Sequence, residues 1–175
     1  MKKQILDEEE IERIINRISN QILERNLDAS SLIIIGMKKR GDILAKKIAK
    51  KIASIEGKEI ATSAIDITFY RDDVHLKAYK YIVKNEIQFD ITNKNIILVD
   101  DVIFTGRSAR AAIDELMDSG RPSSIQLAVL IDREGRELPI QPDYVGKTIF
   151  AGSDGEVVVH LKEVDGEDKV FISLE

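Results

Sequence analysis

The sequence contains no cysteine, no tryptophan and only two histidines, His75 and His160. Without cysteine the chain forms neither a disulfide nor a thiolate nucleophile, and two histidines do not supply a His-rich zinc site. No apolar run approaches the roughly 18 residues that a membrane helix needs. The first residues become acidic at Asp7, where a signal peptide would have its apolar core. We therefore expect a cytoplasmic protein with no membrane partner and no metal held by the protein alone.

Excess positive charge is also lacking, because the net charge is −5 at pH 7. Such a chain does not attract nucleic acid through its overall field, although this leaves room for a local basic face. With 175 residues, of which 43% are hydrophobic, the chain is long enough to bury a core as one domain. We therefore predict a single domain over residues 1–175.

The stretch from Ile96 to Ser108 carries the clearest chemical signal. Four β-favouring apolar residues run into Asp100 and Asp101, which is typical of a buried parallel strand whose carboxyl end faces a ligand crevice. After Ser108 the apolar residues return at helical spacing, so residues 105–108 are predicted to be a strand-to-helix turn. Backbone N–H groups at such a helix start form a cradle for a phosphate group.

Two carboxylates and an anion cradle about four residues apart constrain the ligand. Carboxylates accept hydrogen bonds from vicinal hydroxyls or bind Mg²⁺, while the turn holds an anionic group one sugar length away. A ribose 5-phosphate has this layout. Two alternatives are a response-regulator receiver domain, whose acid pair lies near the amino terminus, and a solvated strand end followed by an ordinary turn. Here Asp100 lies past the middle of the chain.

Helical and strand patterns surround this stretch. Asp7 and Glu10 form a capping-box signal before an amphipathic pattern. Between Gly36 and Gly41, three successive cations suit a second polyanion site, although such a loop alone is often merely solvated. The predicted helices cover residues 7–25 and 43–52, the predicted strands cover 32–35, 59–70, 96–99, 124–131, 157–161 and 170–174, and residues 134–146 are a polar connection.

The 96–108 stretch resembles the thirteen-residue phosphoribosyl pyrophosphate motif of type I phosphoribosyltransferases, through the acid pair, Thr105, Gly106 and Ser108. The resemblance implies an α/β fold with a mostly parallel twisted sheet flanked by helices, a small C-terminal β hood, and a flexible flap at residues 71–86 that closes over the reacting centre. It also implies that phosphoribosyl pyrophosphate contacts two loops, made of Lys39, Arg40 and Gly41 and of Asp100, Asp101, Val102, Ile103, Phe104, Thr105, Gly106, Arg107 and Ser108.

A narrower resemblance covers most of the chain from Gly36 onwards. The segments 66–73, 120–130, 136–140 and 143–147 are similar to bacterial pyrimidine operon attenuation regulators, a family that also has uracil phosphoribosyltransferase activity. This implies conversion of uracil and phosphoribosyl pyrophosphate to UMP and pyrophosphate, with Mg²⁺ neutralising the pyrophosphate. The catalytic residues implied are Asp100, Asp101 and Arg71, and the implied base-binding residues are Asp132, Arg133 and Val157.

The same resemblance implies UMP- or UTP-dependent binding of a pyrimidine operon leader mRNA, and assembly as a homodimer or tetramer. The implied RNA-binding residues are Arg136 and Lys147, with further contacts from the first helix. The chain departs from the expected pattern at Gly135, Gln141, Asn20 and Asn16. An alternative is therefore a phosphoribosyltransferase or nucleotide sensor that has lost RNA binding. A third hypothesis is a phosphoribosyltransferase that prefers a purine base.

Overall fold

A computed structural model describes residues 2–67, 87–152 and 155–174 of the chain. The predicted flap, including Arg71, lies outside these described residues. In chain order the elements are β1 (Lys2–Leu6), α1 (Glu8–Arg25), a 3-10 turn (Ala29–Ser31), β2 (Leu32–Met37), α2 (Gly41–Glu56), β3 (Ala61–Ile65), β4 (Asn95–Ile103), α3 (Arg107–Ser119), β5 (Ser124–Arg133), β6 (Tyr144–Ile149), β7 (Gly155–His160), α4 (Lys162–Asp165) and β8 (Lys169–Leu174).

A parallel sheet with the order β3-β2-β4-β5-β6 forms the centre of the fold. Alternate residues of β4 enter opposite layers: Ile97 and Val99 pack with α1 and α2, whereas Ile96 and Leu98 pack with α3. The strand order reverses between β2 and β4, which is the point where open α/β sheets bind ligands. The predicted α/β fold is confirmed.

The hood is a separate antiparallel sheet with the order β1-β8-β7. Its side chains Leu6, Val159 and Val170 join the core under the α1 and α2 face, together with Leu161, which follows β7. The predicted C-terminal hood is present as β7 and β8, and β1 adds a third strand from the amino-terminal part of the chain. Only Leu6 of this five-residue strand is fully buried, so neither alternation nor an apolar run marks it in the sequence.

Three predicted boundaries need correction. The strand predicted over 59–70 ends at Ile65, because its neighbour β2 ends opposite it at Met37 and the Lys38 amide already binds the Ile65 carbonyl at 2.9 Å. The motif strand does not stop before the acid pair but continues to Ile103. The connection predicted over 134–146 ends early, since β6 begins at Tyr144 as an edge strand with only its two end residues buried.

The first helix begins as predicted. Asp7 accepts the Glu10 amide at 2.8 Å, and Glu10 accepts the Asp7 amide at 3.0 Å, which completes the capping box. In the part of the chain that the structure describes, no helix has the length and apolar character needed to cross a membrane.

Candidate active site

The acid pair lies where two parallel strands separate. β2 pairs with β4 as far as Gly36 and Val99, and beyond this point β4 continues along β5 alone. Asp100 and Asp101 are thus the first β4 residues beyond the pairing with β2. At Gly41, where α2 begins, a Cβ atom would lie 2.5 Å from the Val99 carbonyl oxygen. Glycine therefore allows the segment of Lys38, Lys39 and Arg40, here called the basic loop, to lie directly against the acid pair.

The two carboxylates differ in their surroundings. Asp100 accepts the Asp101 amide at 2.9 Å, and Asp101 accepts the Val102 amide at 2.9 Å. Burial raises the pKa of Asp101, whereas its hydrogen bonding with Asp100 and the Val102 amide and the charge of Arg40 act in the opposite direction. Desolvation disfavours the charged carboxylate, so Asp101 is poised to gain from a positive charge that develops beside it.

Residues 104–108, here called the phosphate loop, join the acid pair to α3. Gly106 precedes the helix with φ of 91°, a conformation that glycine adopts most easily. As the N-cap residue it offers no side chain, and the Arg107 amide donates instead to the Thr105 hydroxyl at 3.2 Å. The loop lines a recess of about 180 Å³ that extends from Asp100 to Ala109. The helix itself does not use the N–H groups of its first turn, so Ser108 and Ala109 present donors suited to an anion.

The basic loop is connected to the hood. Arg40 binds the Asp165 carboxylate of α4 through Nε at 3.1 Å and Nη2 at 2.9 Å, and this interaction lowers the pKa of Asp165. Lys39 is exposed at the same loop. Sequence reasoning missed Asp165, because nothing local marks a turn residue as the partner of an arginine 125 positions away.

The predicted base-binding residues come from two sheets. Asp132 and Arg133 end β5 at the same edge as the acid pair, and the Arg133 guanidinium carbon stacks 4.0 Å from the centre of the Phe104 ring. Val157 belongs to the hood strand β7, which contacts β4. The structure thus brings the β5 pair to the phosphate loop, while Val157 approaches from the hood.

The two residues predicted to bind RNA lie in different surroundings. Lys147 is exposed on β6 and lines an open groove with Arg13 and Arg17 of α1. Arg136 does not line this groove; its side chain is 14% exposed and pairs with Asp132 at 2.7 Å. The assignment of both residues to RNA stays a prediction.

A magnesium site made by the protein alone is not found in the described part of the chain, where no group of three acidic, histidine or cysteine side chains converges. Mg²⁺ is often held by one or two carboxylates together with substrate phosphates. Asp100 and Asp101 beside the phosphate loop fit that donor set.

Comparison with known proteins agrees with this architecture. Residues 1–162 match the family described as phosphoribosyl transferase domain. Two similar curated proteins are both called bifunctional protein PyrR. The one from Pelotomaculum thermopropionicum is 49% identical over 172 residues, covering 98% of this chain and 95% of that protein. The one from Bacillus cereus strain AH820 is 51% identical over 174 residues, covering 98% and 97%.

Solved structures share the fold at much lower identity. A hypoxanthine phosphoribosyltransferase from Staphylococcus aureus has a TM-score of 0.73 and 20% identity, with 99% of this chain and 92% of that chain covered. The Trypanosoma cruzi hypoxanthine phosphoribosyltransferase in complex with the product IMP has a TM-score of 0.72 and 18% identity, with 99% and 90% covered. At these identities the likeness concerns the fold and not the base.

Proposed function

Since the chain belongs to the phosphoribosyl transferase domain family and, within it, to the family of the bifunctional protein PyrR, we propose that it converts uracil and phosphoribosyl pyrophosphate to UMP and pyrophosphate. The observation that carries this proposal is the acid pair beside the phosphate-loop recess at the point where the strand order reverses. Full-length similarity to PyrR proteins, rather than the fold, favours a pyrimidine base.

In the proposed reaction the bond from ribose C1 to pyrophosphate breaks, a bond from C1 to a uracil nitrogen forms, and the proton of that nitrogen passes to the released pyrophosphate or to water. Positive charge develops on the ribose, so electrostatic stabilisation and orientation account for catalysis without a covalent nucleophile. Asp100 and Asp101 would bind the ribose hydroxyls, with Asp101 nearest the developing charge, and the phosphate loop would bind the 5′-phosphate. Lys39, Arg40 and Gly41 would contact the pyrophosphate, and Asp132, Arg133 and Val157 would hold the base.

Mg²⁺ would enter with phosphoribosyl pyrophosphate and neutralise its charge. Asp100 and Asp101 are the side chains that would hold it together with the substrate. Arg71, which we also assign to catalysis, lies outside the described residues, so this role rests on the family resemblance alone.

We further propose that the protein regulates pyrimidine operon attenuation by binding leader mRNA in a UMP- or UTP-dependent way, in the cytoplasm and as a homodimer or tetramer. Lys147 in its groove with Arg13 and Arg17 offers the local positive charge that RNA backbone contacts require. The alternative, an enzyme or nucleotide sensor without RNA binding, is favoured by one observation: Arg136 is engaged inside the protein.

The test combines catalysis and RNA binding. Purified protein is assayed for UMP formation with uracil, hypoxanthine or guanine as the base, and for retention of leader RNA at two salt concentrations with and without UMP. UMP formation together with UMP-enhanced RNA binding is the expected result. UMP formation without RNA binding would leave the enzyme alone, and a preference for a purine would overturn the uracil assignment.

A further inference from the structure

One arginine joins the two ends of the proposed nucleotide site. Arg136 donates from Nη1 to the Phe104 carbonyl at 2.6 Å and from Nη2 to the Asp132 carboxylate at 2.7 Å. The Phe104 carbonyl belongs to the phosphate loop, and Asp132 belongs to the base end. We propose that Arg136 is a positioning residue for the 5′-phosphate loop, an inference that rests on the proposed function.

Burial supports this role. The side chains of Arg136 and Asp132 are each 14% exposed, and Nη2 of Arg136 also binds the Gln141 side chain at 3.2 Å. Its Nε is buried and has no hydrogen-bond partner among the residues that the structure describes. The guanidinium is therefore held through its terminal nitrogens, and contact with an RNA phosphate would require these bonds to break.

The phosphate loop needs support from outside. Gly106 has positive φ and, as the N-cap residue of α3, provides no side-chain cap. The support comes from the segment between β5 and β6, here called the crossover (residues 134–143). The Glu137 and Leu138 amides both bind the Thr105 carbonyl, at 2.9 and 3.2 Å.

A further ion pair ties the crossover to the start of α3. Arg107 Nε lies 2.7 Å from a Glu137 carboxylate oxygen. These contacts between the crossover and the phosphate loop are here called the brace. Arg136 is its buried member, whereas Arg107 and Glu137 are about half exposed. Because a buried charged hydrogen bond contributes more than an exposed ion pair, Arg136 is the member whose loss should disturb the loop most.

Two features of the guanidinium act on the loop. It bridges two acceptors at fixed geometry, which a lysine ammonium does not reproduce, and it places a positive charge behind the backbone that would face the phosphate. Arg136→Lys keeps the charge but loses the two-ended bridge, and Arg136→Gln loses both. The two variants therefore separate geometry from charge.

The test measures two ligands by calorimetry, which does not depend on turnover. Ribose 5-phosphate would use the phosphate loop, and pyrophosphate with Mg²⁺ would use the basic loop at Lys39 and Arg40. In Arg136→Gln we expect ribose 5-phosphate to bind about tenfold more weakly or worse, the loss that one charged hydrogen bond corresponds to. Pyrophosphate should stay within about twofold, and Arg136→Lys should fall between Arg136→Gln and the unmodified protein.

The matched control is Arg121→Gln, which removes an exposed arginine from the turn before β5 and should leave both affinities unchanged. Equal weakening of both ligands by Arg136→Gln would indicate general loosening and overturn the inference. So would unchanged ribose 5-phosphate binding together with lost binding of leader RNA in the absence of nucleotide. If Arg136→Gln does not fold, Arg136→Lys carries the same comparison. Failure of the unmodified protein to form UMP would instead count against the proposed function.

Discussion

At the scale of the residue, Asp101 shows how the charge of a proposed catalytic carboxylate opposes folding. Its carboxylate is half-buried beside Asp100, and desolvation raises its pKa above the ordinary value of 3.8. A raised pKa in the folded state means that ionising Asp101 destabilises the fold. The destabilisation is absent below about pH 3.8, where the unfolded chain is protonated as well, and it is complete above the folded pKa.

Asp101→Asn should therefore remove activity while raising stability. Asparagine keeps an oxygen for the Val102 amide but carries no charge to desolvate, so we expect a gain of roughly 1 kcal/mol, or about 2–4 °C in Tm, at pH 7. Thermal melts at pH 7, 5 and 4 should show the difference shrinking as the pH falls, alongside UMP formation reduced at least about a hundredfold. A variant less stable than the unmodified protein at pH 7 would show that the charge is already compensated.

Gly135 provides a second prediction at this scale. A Cβ atom there would lie 2.2 Å from the Phe104 ring, and the φ of Gly135 is 132°, so any side chain is strained. Gly135→Ala should destabilise the protein by about 1 kcal/mol or more and move Phe104 away from Arg133. Urea unfolding checks the first effect.

Gly152→Ala is the matched control, because Gly152 also has positive φ, of 68°, but nothing lies within 4 Å of the added atom. Gly152→Ala should lose only the stability that a positive φ costs an alanine. An equal loss in both variants would mean that the contact with Phe104 contributes nothing.

The residues that sequence reasoning found are those of the contiguous stretch from Asp100 to Ser108, where strand, acids and turn follow one another. Asp165 was missed, and Arg136 was assigned to RNA, because the contacts of both are tertiary. Asp165 reaches Arg40, and Arg136 reaches the Phe104 carbonyl, yet neither partner is marked by local spacing. Gly135 and Gln141, noted only as departures from a family pattern, both lie on the brace of the phosphate loop.

At the scale of the element, α4 connects the hood to the start of α2. Asp165 binds Arg40 and also accepts the Leu161 amide at 2.8 Å, so a helix of four residues is fixed at its beginning and its end. The pKa of Asp165 is lowered by Arg40. Its stabilising contribution is therefore present above the unfolded value of 3.8 and is lost as the pH falls through the folded pKa.

Asp165→Asn should lower the free energy of unfolding by about 1 kcal/mol at pH 7, because Arg40 loses its charged partner while Leu161 keeps an acceptor. The loss should decrease as the pH falls below 3.8. Glu163→Gln is the comparison variant: Glu163 lies on the same helix and pairs with Lys47 of α2 at 3.2 Å, but its side chain is 48% exposed, so its loss should cost less than that of Asp165. Equal stability of Asp165→Asn and the unmodified protein at pH 7 would mean that the Arg40 contact does not hold the hood.

The elements that could be predicted from the sequence are those whose apolar residues recur with a clear helical or strand period. Both long helices and the buried strands β2, β4 and β5 follow apolar patterns, and their positions are confirmed with shifts of a few residues. β1 and β6 were missed because each is a short edge strand that becomes a strand only through its partner. The start of β6 is fixed by Asp143. Its amide donates to the Leu127 carbonyl, and its carboxylate accepts the Leu127 amide, both at 2.8 Å.

At the scale of the whole molecule, a net charge of −5 makes any RNA binding a local property. In the groove between α1 and β6, Arg17 donates to the Val145 and Gly146 carbonyls at 3.1 and 2.6 Å. These bonds cover part of the open edge of the sheet, which protects it from pairing with other strands. Lys147 projects from the same edge strand and is exposed.

Lys147→Gln should therefore weaken leader RNA binding by a similar factor for different RNA sequences, because a lysine at this position would contact phosphate rather than a base edge. The dependence of log affinity on log salt concentration should become shallower by about one unit. Lys46→Gln removes an equal charge from the exposed side of α2 and should leave this slope unchanged, since the acidic molecule as a whole does not attract RNA. Filter retention over a salt series measures both slopes. Equal slopes for the two variants would place the RNA-binding surface away from the α1 and β6 groove, and sequence-selective weakening would make Lys147 a base contact.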